Sequence, residues 1–450
     1  MSRLLKIEKI VFCLLVFFAF FQGRVIWHIF GTQFNEWTSA YLYLTDILIA
    51  AVIFLWLLRI YKNLCWENIK RGFRSTEIVL GVFLAVSALS IIVSNKFYLS
   101  FYSFVKIFEM ALLFIYVSRN FKSLFSLERF WQIFIASASA QSVVAIIQSV
   151  NQKSLGLKYL FESPLSSSIA GVAKIDVAGQ KIIRAYGLTP HPNILAAILI
   201  LALFGLVYLF LKNYRSLKKW HKLIYIAALV LNSTALFFTF SRGVTLIGFL
   251  ALICWAAIIF FRQKNYRREI IIFFASLIVV FSLLSIIFWS WTFARYNPDI
   301  IGQSQALNLR TYYNNVALHL IRGSPIFGIG QGNFVWTSSS LGLLENWMYQ
   351  PVHNIYLLIG SETGILGLAF FLSFLFILWR KAKKATIAPP QNCLIYIFYF
   401  IITIGLFDHF WWDLQQGQIL FWLFLGFLAA MSHPEQSEGT LANASNSPRS

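Results

Sequence analysis

Apolar runs long enough to cross a lipid bilayer recur along almost the whole sequence, and this feature limits the possible folds most strongly. A helix needs about 20 mostly apolar residues to cross roughly 30 Å of hydrocarbon. The runs are Ile10–Gln22, Leu42–Arg59, Glu77–Val93, Leu99–Val117, Phe130–Val150, Ile194–Leu211, Leu223–Phe240, Val244–Phe261, Ile270–Trp289, Asn354–Trp379, Leu394–Phe407 and Gln416–Met431. They predict an all-α polytopic membrane protein with about twelve transmembrane helices.

The composition supports the same fold class. Of 450 residues, 59% are hydrophobic and only 12% are charged, whereas soluble domains carry about 25% charged residues. A soluble fold of this length lacks the polar side chains needed to cover so much apolar surface. A bilayer removes that requirement.

The net charge of +20 is explained by its distribution along the chain. Basic residues cluster in every second loop, which is the positive-inside pattern. The clusters lie at residues 3–9, 62–74, 119–129, 212–222, 262–268 and 380–384. We therefore expect both termini in the cytoplasm, contact with anionic membrane lipids, and no nucleic-acid partner.

The spans and loops divide the chain into four predicted regions. Residues 1–183 hold the first five spans and an extracytoplasmic loop. Residues 184–379 form a core whose large extracytoplasmic loop, 291–352, precedes the tenth span. Residues 380–431 hold the last two spans, and the Ser-rich residues 432–450 are expected to be a disordered cytoplasmic tail.

Three arginines fall on the predicted outer side, against the positive-inside bias: Arg184, Arg242 and Arg310. Arg242 lies where the seventh and eighth spans meet with almost no loop, so it is held at the membrane boundary. A plain alternative for each is an arginine that reaches the lipid headgroups. The functional interpretation is an anionic ligand, because a guanidinium pairs with phosphate through two parallel hydrogen bonds.

Arg184 lies just before the sixth span, in the stretch Arg184-Ala-Tyr-Gly-Leu-Thr-Pro-His-Pro-Asn193. Pro190 and Pro192 prevent a helix until about Asn193, which is expected to cap the span. This junction is either a plain loop-to-helix connection or a phosphate or sugar site. In the second case Arg184 acts together with the free N–H groups of the helix start.

The large loop contains a predicted helix followed by a glycine series. Residues Ala306–Arg322 are expected to be helical, because their apolar side chains recur at helical spacing. Gly328, Gly330 and Gly332 follow, in a spacing that resembles a dinucleotide-binding loop. Since no strand precedes them, we expect a tight turn that brings backbone close to a ligand or to another helix.

The tenth span carries two ionisable residues. His353 lies at its start on the water side, and histidine is suited to proton transfer near neutral pH. Glu362 lies nine residues further along and about 13 Å deeper in a regular helix, so a direct pair with His353 is not expected. A carboxylate inside the membrane is functional or paired by default.

Taken in order, these residues resemble the motifs of the O-antigen ligase family of bacterial polysaccharide assembly. The matching stretches are Arg184-Ala-Tyr-Gly187, Pro192-Asn193, Ser241-Arg242-Gly243, Arg310, Pro325–Phe334, His353-Asn354, Glu362 and Gly364-Ile-Leu-Gly367. The resemblance covers roughly residues 184–371. It implies an all-helical membrane fold with a large extracytoplasmic loop before the motif that contains the histidine.

The resemblance also implies an activity. A metal-independent glycosyltransferase without a cofactor would lie in the bacterial cytoplasmic membrane, with its active site on the outer face. The donor would be a glycan linked to polyprenyl diphosphate (undecaprenyl diphosphate), and the acceptor a lipid, such as the lipopolysaccharide core, or a glycan. Arg242 and Arg310 would neutralise the diphosphate, and His353 would activate the acceptor hydroxyl. Substrate-binding roles carry over to Arg184, Asn193, Asn354 and Glu362.

Alternatives remain open within and outside the family. The same motifs serve polymerases of polysaccharide repeat units, and a family member could also bind lipid-linked glycan without transferring it. A lipid-linked glycan transporter is an alternative of another class. Transporters place their binding site near the bilayer midplane, often between internal repeats, whereas the polar residues here cluster on one face.

Overall fold

The computed structural model describes residues 2–62, 73–214, 218–296, 301–385 and 387–432, and within them the protein is mostly helical. Most of the predicted basic loop after the second span, including Lys70 and Arg71, lies outside the described residues, as do residues 433–450 of the predicted tail. The predicted helical fold class is confirmed, with two short β-hairpins added to it.

The helices follow the predicted spans closely. In chain order they are α1 (Ser2–Phe18), α2 (Leu44–Lys62), α3 (Ser75–Ile92), α4 (Phe97–Leu124), α5 (Leu127–Asn151), α6 (Pro192–Asn213), α7 (Lys219–Thr239), α8 (Arg242–Arg262), α9 (Arg267–Ile287), α10 (Trp289–Tyr296), α11 (Ile301–Gly323), α12 (Phe334–Ser339), α13 (Ile355–Lys384), α14 (Cys393–Ile404), α15 (Phe410–Asp413) and α16 (Gln415–Met431). Within the described ranges, nine are long and apolar enough to cross a membrane: α2 to α9 and α13. Helices α1, α14 and α16 match the other three runs but are shorter, so a count of twelve spans stays a prediction.

The two hairpins lie in connections between helices. Strands β1 (Arg24–Ile29) and β2 (Ser39–Tyr43) pair antiparallel between α1 and α2. Strands β3 (Lys174–Val177) and β4 (Gln180–Ile183) pair between α5 and α6. The turn of the second hairpin is Ala178-Gly179, and both residues have positive φ, at 51° and 84°. A two-residue turn with this geometry matches the twist of the strands it joins.

Helix α6 is the centre of the bundle. Every residue from Ile194 to Leu211 is buried, and α6 packs against α5, α7 and α8. A helix that is apolar on all sides is stable only when protein or lipid surrounds it completely. The loop before α6 therefore lies in the middle of one end of the bundle.

The two ends of the bundle differ in their polar contacts. At one end, here called the paired end, three ion pairs join neighbouring helices: Glu8–Arg59, Glu77–Arg119 and Glu128–Lys212. The other end, here called the hairpin end, carries both hairpins and the starts of α6, α8 and α13. The candidate site residues gather at the hairpin end.

Helix α13 is broken directly after its buried carboxylate. Gly364 has φ 71° and ψ −176°, which interrupts the helix. A Cβ at this position would lie 2.1 Å from the carbonyl oxygen of Ile326, so glycine alone permits the close approach of the preceding glycine turn. The break lies beyond Glu362, so the regular helix assumed up to Glu362 is kept, and the chain bends only after Thr363.

Candidate active site

Arg184 is held inside the protein directly after strand β4. Its Nε donates to the Thr239 carbonyl oxygen at 2.6 Å, and one Nη donates to Asn193 Oδ1 at 2.8 Å. The residue is only 8% exposed. Burial, together with the positive charge of Arg295, lowers the pKa of Arg184 to about 9. A cation in this position is under-compensated, and an anion nearby would stabilise it.

Asn193 joins three parts of the chain. Its Oδ1 accepts from Arg184 and from Ser241 Oγ at 2.8 Å, and its Nδ2 donates to Asp408 Oδ2 at 2.7 Å. The predicted helix cap at Asn193 is wrong, because the ring Nδ1 of His191 caps α6 by accepting from the Asn193 backbone N–H. The Asn193 side chain is thereby left to tie the starts of α6 and α8 to the loop before α15.

Arg242 is the first residue of α8 and remains exposed. One of its Nη atoms donates to the Arg295 carbonyl oxygen at 3.2 Å, and Arg295 Nε donates to the Phe240 carbonyl oxygen at 3.0 Å. These contacts hold Arg242 and Arg295 close together at the start of α8. A Cβ added to the neighbouring Gly243 would have nothing within 4 Å, so the approach to Arg242 is open.

Arg310 reaches the site from the large loop. It lies on α11, which the sequence predicted as a helix over Ala306–Arg322 and which runs from Ile301 to Gly323. The predicted apolar face is confirmed, because Tyr313, Val316 and Ala317 are buried. Arg310 is exposed, and its charge contributes to lowering the pKa of His353, which places it near that ring.

His353 lies among aromatic rings just before α13. Its ring centre is 4.9 Å from that of His409, nearly perpendicular to it, and 6.1 Å from that of Tyr313, nearly parallel to it. His353 Nδ1 is buried and has no hydrogen-bond partner among the described residues. Burial, followed by the neighbouring His409, lowers the pKa of His353 to about 3. The ring is therefore neutral at neutral pH, and its buried Nδ1 is left without a partner among the described residues.

The sequence analysis missed three residues beside His353: Asp408, His409 and Asp413. His409 Nδ1 lies 2.9 Å from Asp413 Oδ1, and the His409 backbone N–H donates to Asp408 at 2.9 Å. Burial alone would lower the pKa of His409, but the charge and hydrogen bond of Asp413 raise it. One signal was present in the sequence. These residues form a compact ionisable group between the last two apolar runs, on the predicted outer side.

Asn354 and Glu362, both predicted to bind substrate, have clear structural contacts. The Asn354 side chain caps α13 by accepting from the backbone N–H groups of Tyr356 and Leu357. Glu362 accepts from Gln331 Nε2 at 3.1 Å and from the Phe334 backbone N–H at 3.3 Å. Glu362 therefore holds the turn that follows α11.

The three predicted glycines build that turn. Gly328, Gly330 and Gly332 all have positive φ, from 68° to 99°. A Cβ on Gly328 would lie 2.4 Å from the Glu362 backbone, and one on Gly332 would lie 2.0 Å from Ser103 Oγ. The expected tight turn with close backbone approach is thus present. It packs against α13 and α4.

The structure brings the predicted residues into two groups. Asn193 binds Arg184 and also Ser241, the residue before Arg242. Arg310 lies near enough to His353 and His409 for its charge to act on the pKa of both rings. Asp408 links the groups, because it binds Asn193 and precedes His409. Asn354 lies next to His353, and Glu362 lies apart from them in the glycine turn. Within the described ranges, no group of three or more His, Cys, Asp or Glu side chains could hold a metal ion.

Residues 227–372 match the family model of the O-antigen ligase. The predicted relationship is confirmed. This O-antigen ligase segment runs from α7 to the middle of α13 and contains Arg242, Arg310, His353, Asn354 and Glu362. No curated protein matches the chain. Arg184, Asn193 and Asp408 lie outside the matched segment, and the tertiary structure alone connects them to it.

Proposed function

We propose that the protein transfers a glycan from polyprenyl diphosphate to an acceptor hydroxyl at the outer face of the bacterial cytoplasmic membrane. The family match supports the general role in surface polysaccharide assembly. The observation that carries the specific reaction is the position of His353 near Arg310, in a site whose arginines have no carboxylate partner. No ion pair within the described residues includes Arg184, Arg242 or Arg310.

The diphosphate of the donor is assigned to Arg242 and Arg310, with Arg184 behind them. Arg242 and Arg310 are exposed at the hairpin end, where a diphosphate attached to a membrane-embedded lipid would arrive. Arginine suits this role because its planar fork pairs with two phosphate oxygens at once. Negative charge that develops on the leaving diphosphate is stabilised by cations that are already in place.

The acceptor hydroxyl is assigned to His353. The acceptor oxygen attacks the anomeric carbon, the bond from that carbon to the diphosphate oxygen breaks, and polyprenyl diphosphate leaves. The proton of the hydroxyl passes to the free ring nitrogen of His353. Burial, followed by His409, lowers the pKa of His353, and Arg310 lowers it further; a bound diphosphate would offset the contribution of Arg310.

Asn193 and Asp408 are assigned a positioning role. They connect Arg184 and Ser241 to the residue that precedes His409. Movement of either group would therefore change the distance between the arginines and His353. Transfer requires that distance to be held closely, since a misplacement of about 1 Å can cost a hundredfold in rate.

Glycan transfer by the purified protein tests the proposal directly. The substrates are an undecaprenyl-diphosphate oligosaccharide with lipid-core and repeat-unit acceptors, with EDTA in a parallel set. We expect transfer that survives EDTA and is lost in His353→Ala and Arg242→Ala. The acceptor used distinguishes a ligase from a polymerase. Movement of the donor across vesicles at equal rates in parent and variants, without transfer, would replace this proposal by transport.

A further inference from the structure

A cavity of about 90 Å³ lies at the hairpin end, next to the group of Arg310, His353 and His409 but separate from it. It is enclosed by the β1–β2 hairpin, helix α4, the glycine turn and the segment that leads into α16. One water needs about 10 to 15 Å³ of such a cavity, so the cavity has room for roughly six to nine waters. At about 30 Å³ per liquid water, that space is comparable with one sugar ring.

The charges around the cavity argue against a phosphate. Of the described residues, no arginine lines it. Its lysine, Lys106, is neutralised by Asp46 at 2.5 Å and Glu109 at 3.0 Å. Glu362 and Asp413 add carboxyl groups to the lining. A phosphate would meet these acids without a free cation, whereas an uncharged polar ligand would meet hydrogen-bond acceptors.

The cavity also has polar atoms that the protein itself does not satisfy. The indole N–H groups of Trp37 and Trp412 have no partner among the described residues, and neither do the side-chain oxygens of Gln331 and Gln415. A buried donor or acceptor without a partner costs stability. The residues that line the cavity thus carry two donors and two acceptors, all four of them buried, next to aromatic rings. A sugar ring has the complementary chemistry, with hydroxyls that donate and accept and C–H groups that pack on aromatic faces.

We propose that this cavity binds one uncharged sugar residue of the glycan that is transferred or of the glycan that accepts it. This inference rests on the proposed function and names the sugar subsite of the same site. Asp413 connects the two, because it lines the cavity and binds His409, whose ring contacts His353. Asp413 and His409 thus lie between a sugar in the cavity and the proposed base, while the arginines hold the diphosphate.

The chain provides a closely matched set of variants to test the sugar subsite. Trp412→Phe and Trp37→Phe each remove one unpartnered N–H of the lining and keep an aromatic ring. Trp411→Phe is the control, since Trp411 is also buried with an N–H that has no partner among the described residues but does not line the cavity. A purely structural role predicts no difference between Trp411 and Trp412. The sugar subsite predicts a loss of glycan binding only at Trp412 and Trp37.

Equilibrium binding to the full-length protein in nanodiscs is the measurement. The probes are sugar-free undecaprenyl diphosphate, the undecaprenyl-diphosphate glycan and the lipid-free acceptor glycan, the last two extracted from cells that make this protein. We expect Trp412→Phe and Trp37→Phe to weaken binding of one glycan by about 2- to 10-fold, the effect of one lost hydrogen bond. Sugar-free undecaprenyl diphosphate should bind parent and variants equally.

The outcomes separate the sources of the sugar and the two proposals. A loss confined to the lipid-linked glycan assigns the cavity to the donor, and a loss confined to the lipid-free glycan assigns it to the acceptor. Unchanged binding of both glycans, or an equal loss in Trp411→Phe or for the sugar-free lipid, overturns the sugar subsite. Failure of transfer with glycan binding intact would overturn the proposed function and leave the subsite standing.

Discussion

The two ends of the helix bundle use their cations differently. At the paired end, Glu8, Glu77 and Glu128 each bind a basic side chain at 2.5 to 2.9 Å. At the hairpin end, Arg24 and Lys106 also bind acids, but the predicted site residues Arg184 and Arg242 donate to carbonyl and amide oxygens. Cations matched with acids hold helices together. Cations held by neutral oxygens keep their charge for another anion, which is the binding role that we propose for the arginines of the hairpin end.

The largest effect is expected at His353, the proposed base at the hairpin end. His353→Ala should reduce the rate of transfer by about 10²- to 10⁴-fold, the usual contribution of a positioned base. Donor binding should be nearly unchanged, because the arginines remain. Single-turnover transfer and donor binding measure the two quantities. A variant that keeps a tenth or more of the parent rate would exclude His353 as the base.

Two matched arginine variants, one at each end of the bundle, test whether the two ends use their cations differently. Arg242→Ala should lower transfer by about 10²- to 10³-fold with little change in thermal unfolding. Arg59→Ala should do the reverse, because it leaves the fully buried Glu8 without its partner, at a cost of about 3 to 5 kcal/mol. Activity per folded molecule and the unfolding midpoint distinguish the two. Equal behaviour of the two variants would contradict the division between the ends.

The buried histidines at the hairpin end should make the free energy of unfolding depend on pH. Burial, followed by the charge of Arg184, lowers the pKa of His191 to about 3. A lowered pKa adds stability that is present above the unfolded value of about 6.5 and lost as pH falls toward 3. Between pH 6.5 and 5 this loss amounts to about 2 kcal/mol per group.

Thermal unfolding of the parent and of His191→Asn at pH 6.5 and pH 5 tests this expectation. Asparagine keeps a helix-capping acceptor but does not titrate. The variant should therefore lose less stability on acidification than the parent. His409 has the opposite sign, since its pKa is raised, and it contributes equally to both proteins. Identical losses in the two proteins would show that His191 is not held neutral.

The smallest effect is expected for a change of cation type at Arg242. Arg242→Lys keeps the charge but loses the planar fork that binds two phosphate oxygens. We expect transfer to fall by about tenfold, with most of the loss in the affinity for undecaprenyl diphosphate. Full activity of the lysine variant would show that Arg242 supplies only charge. A loss as large as that in Arg242→Ala would show that the geometry of the guanidinium is essential.

The central helix shows why the spans were predictable and their contacts were not. The run Ile194–Leu211 identifies α6 from hydropathy alone, because crossing a bilayer is a local property of about 20 residues. The cap of the same helix was predicted wrongly, since both His191 and Asn193 can cap and the choice depends on neighbours. The Asn193 side chain instead forms hydrogen bonds with Arg184, Ser241 and Asp408, and Asp408 is 215 residues further along the chain.

The amino-acid sequence was sufficient to identify the membrane-protein class, the positions of the long helices, and the family whose model matches residues 227–372. Hydropathy and motif spacing are local, so they can be read without knowledge of the fold. The folded chain was needed to place Asp408, His409 and Asp413 beside His353, to make Glu362 a support for the glycine turn, and to enclose the cavity beside Trp37 and Trp412. Those contacts join distant helices, and packing decides which distant side chains meet.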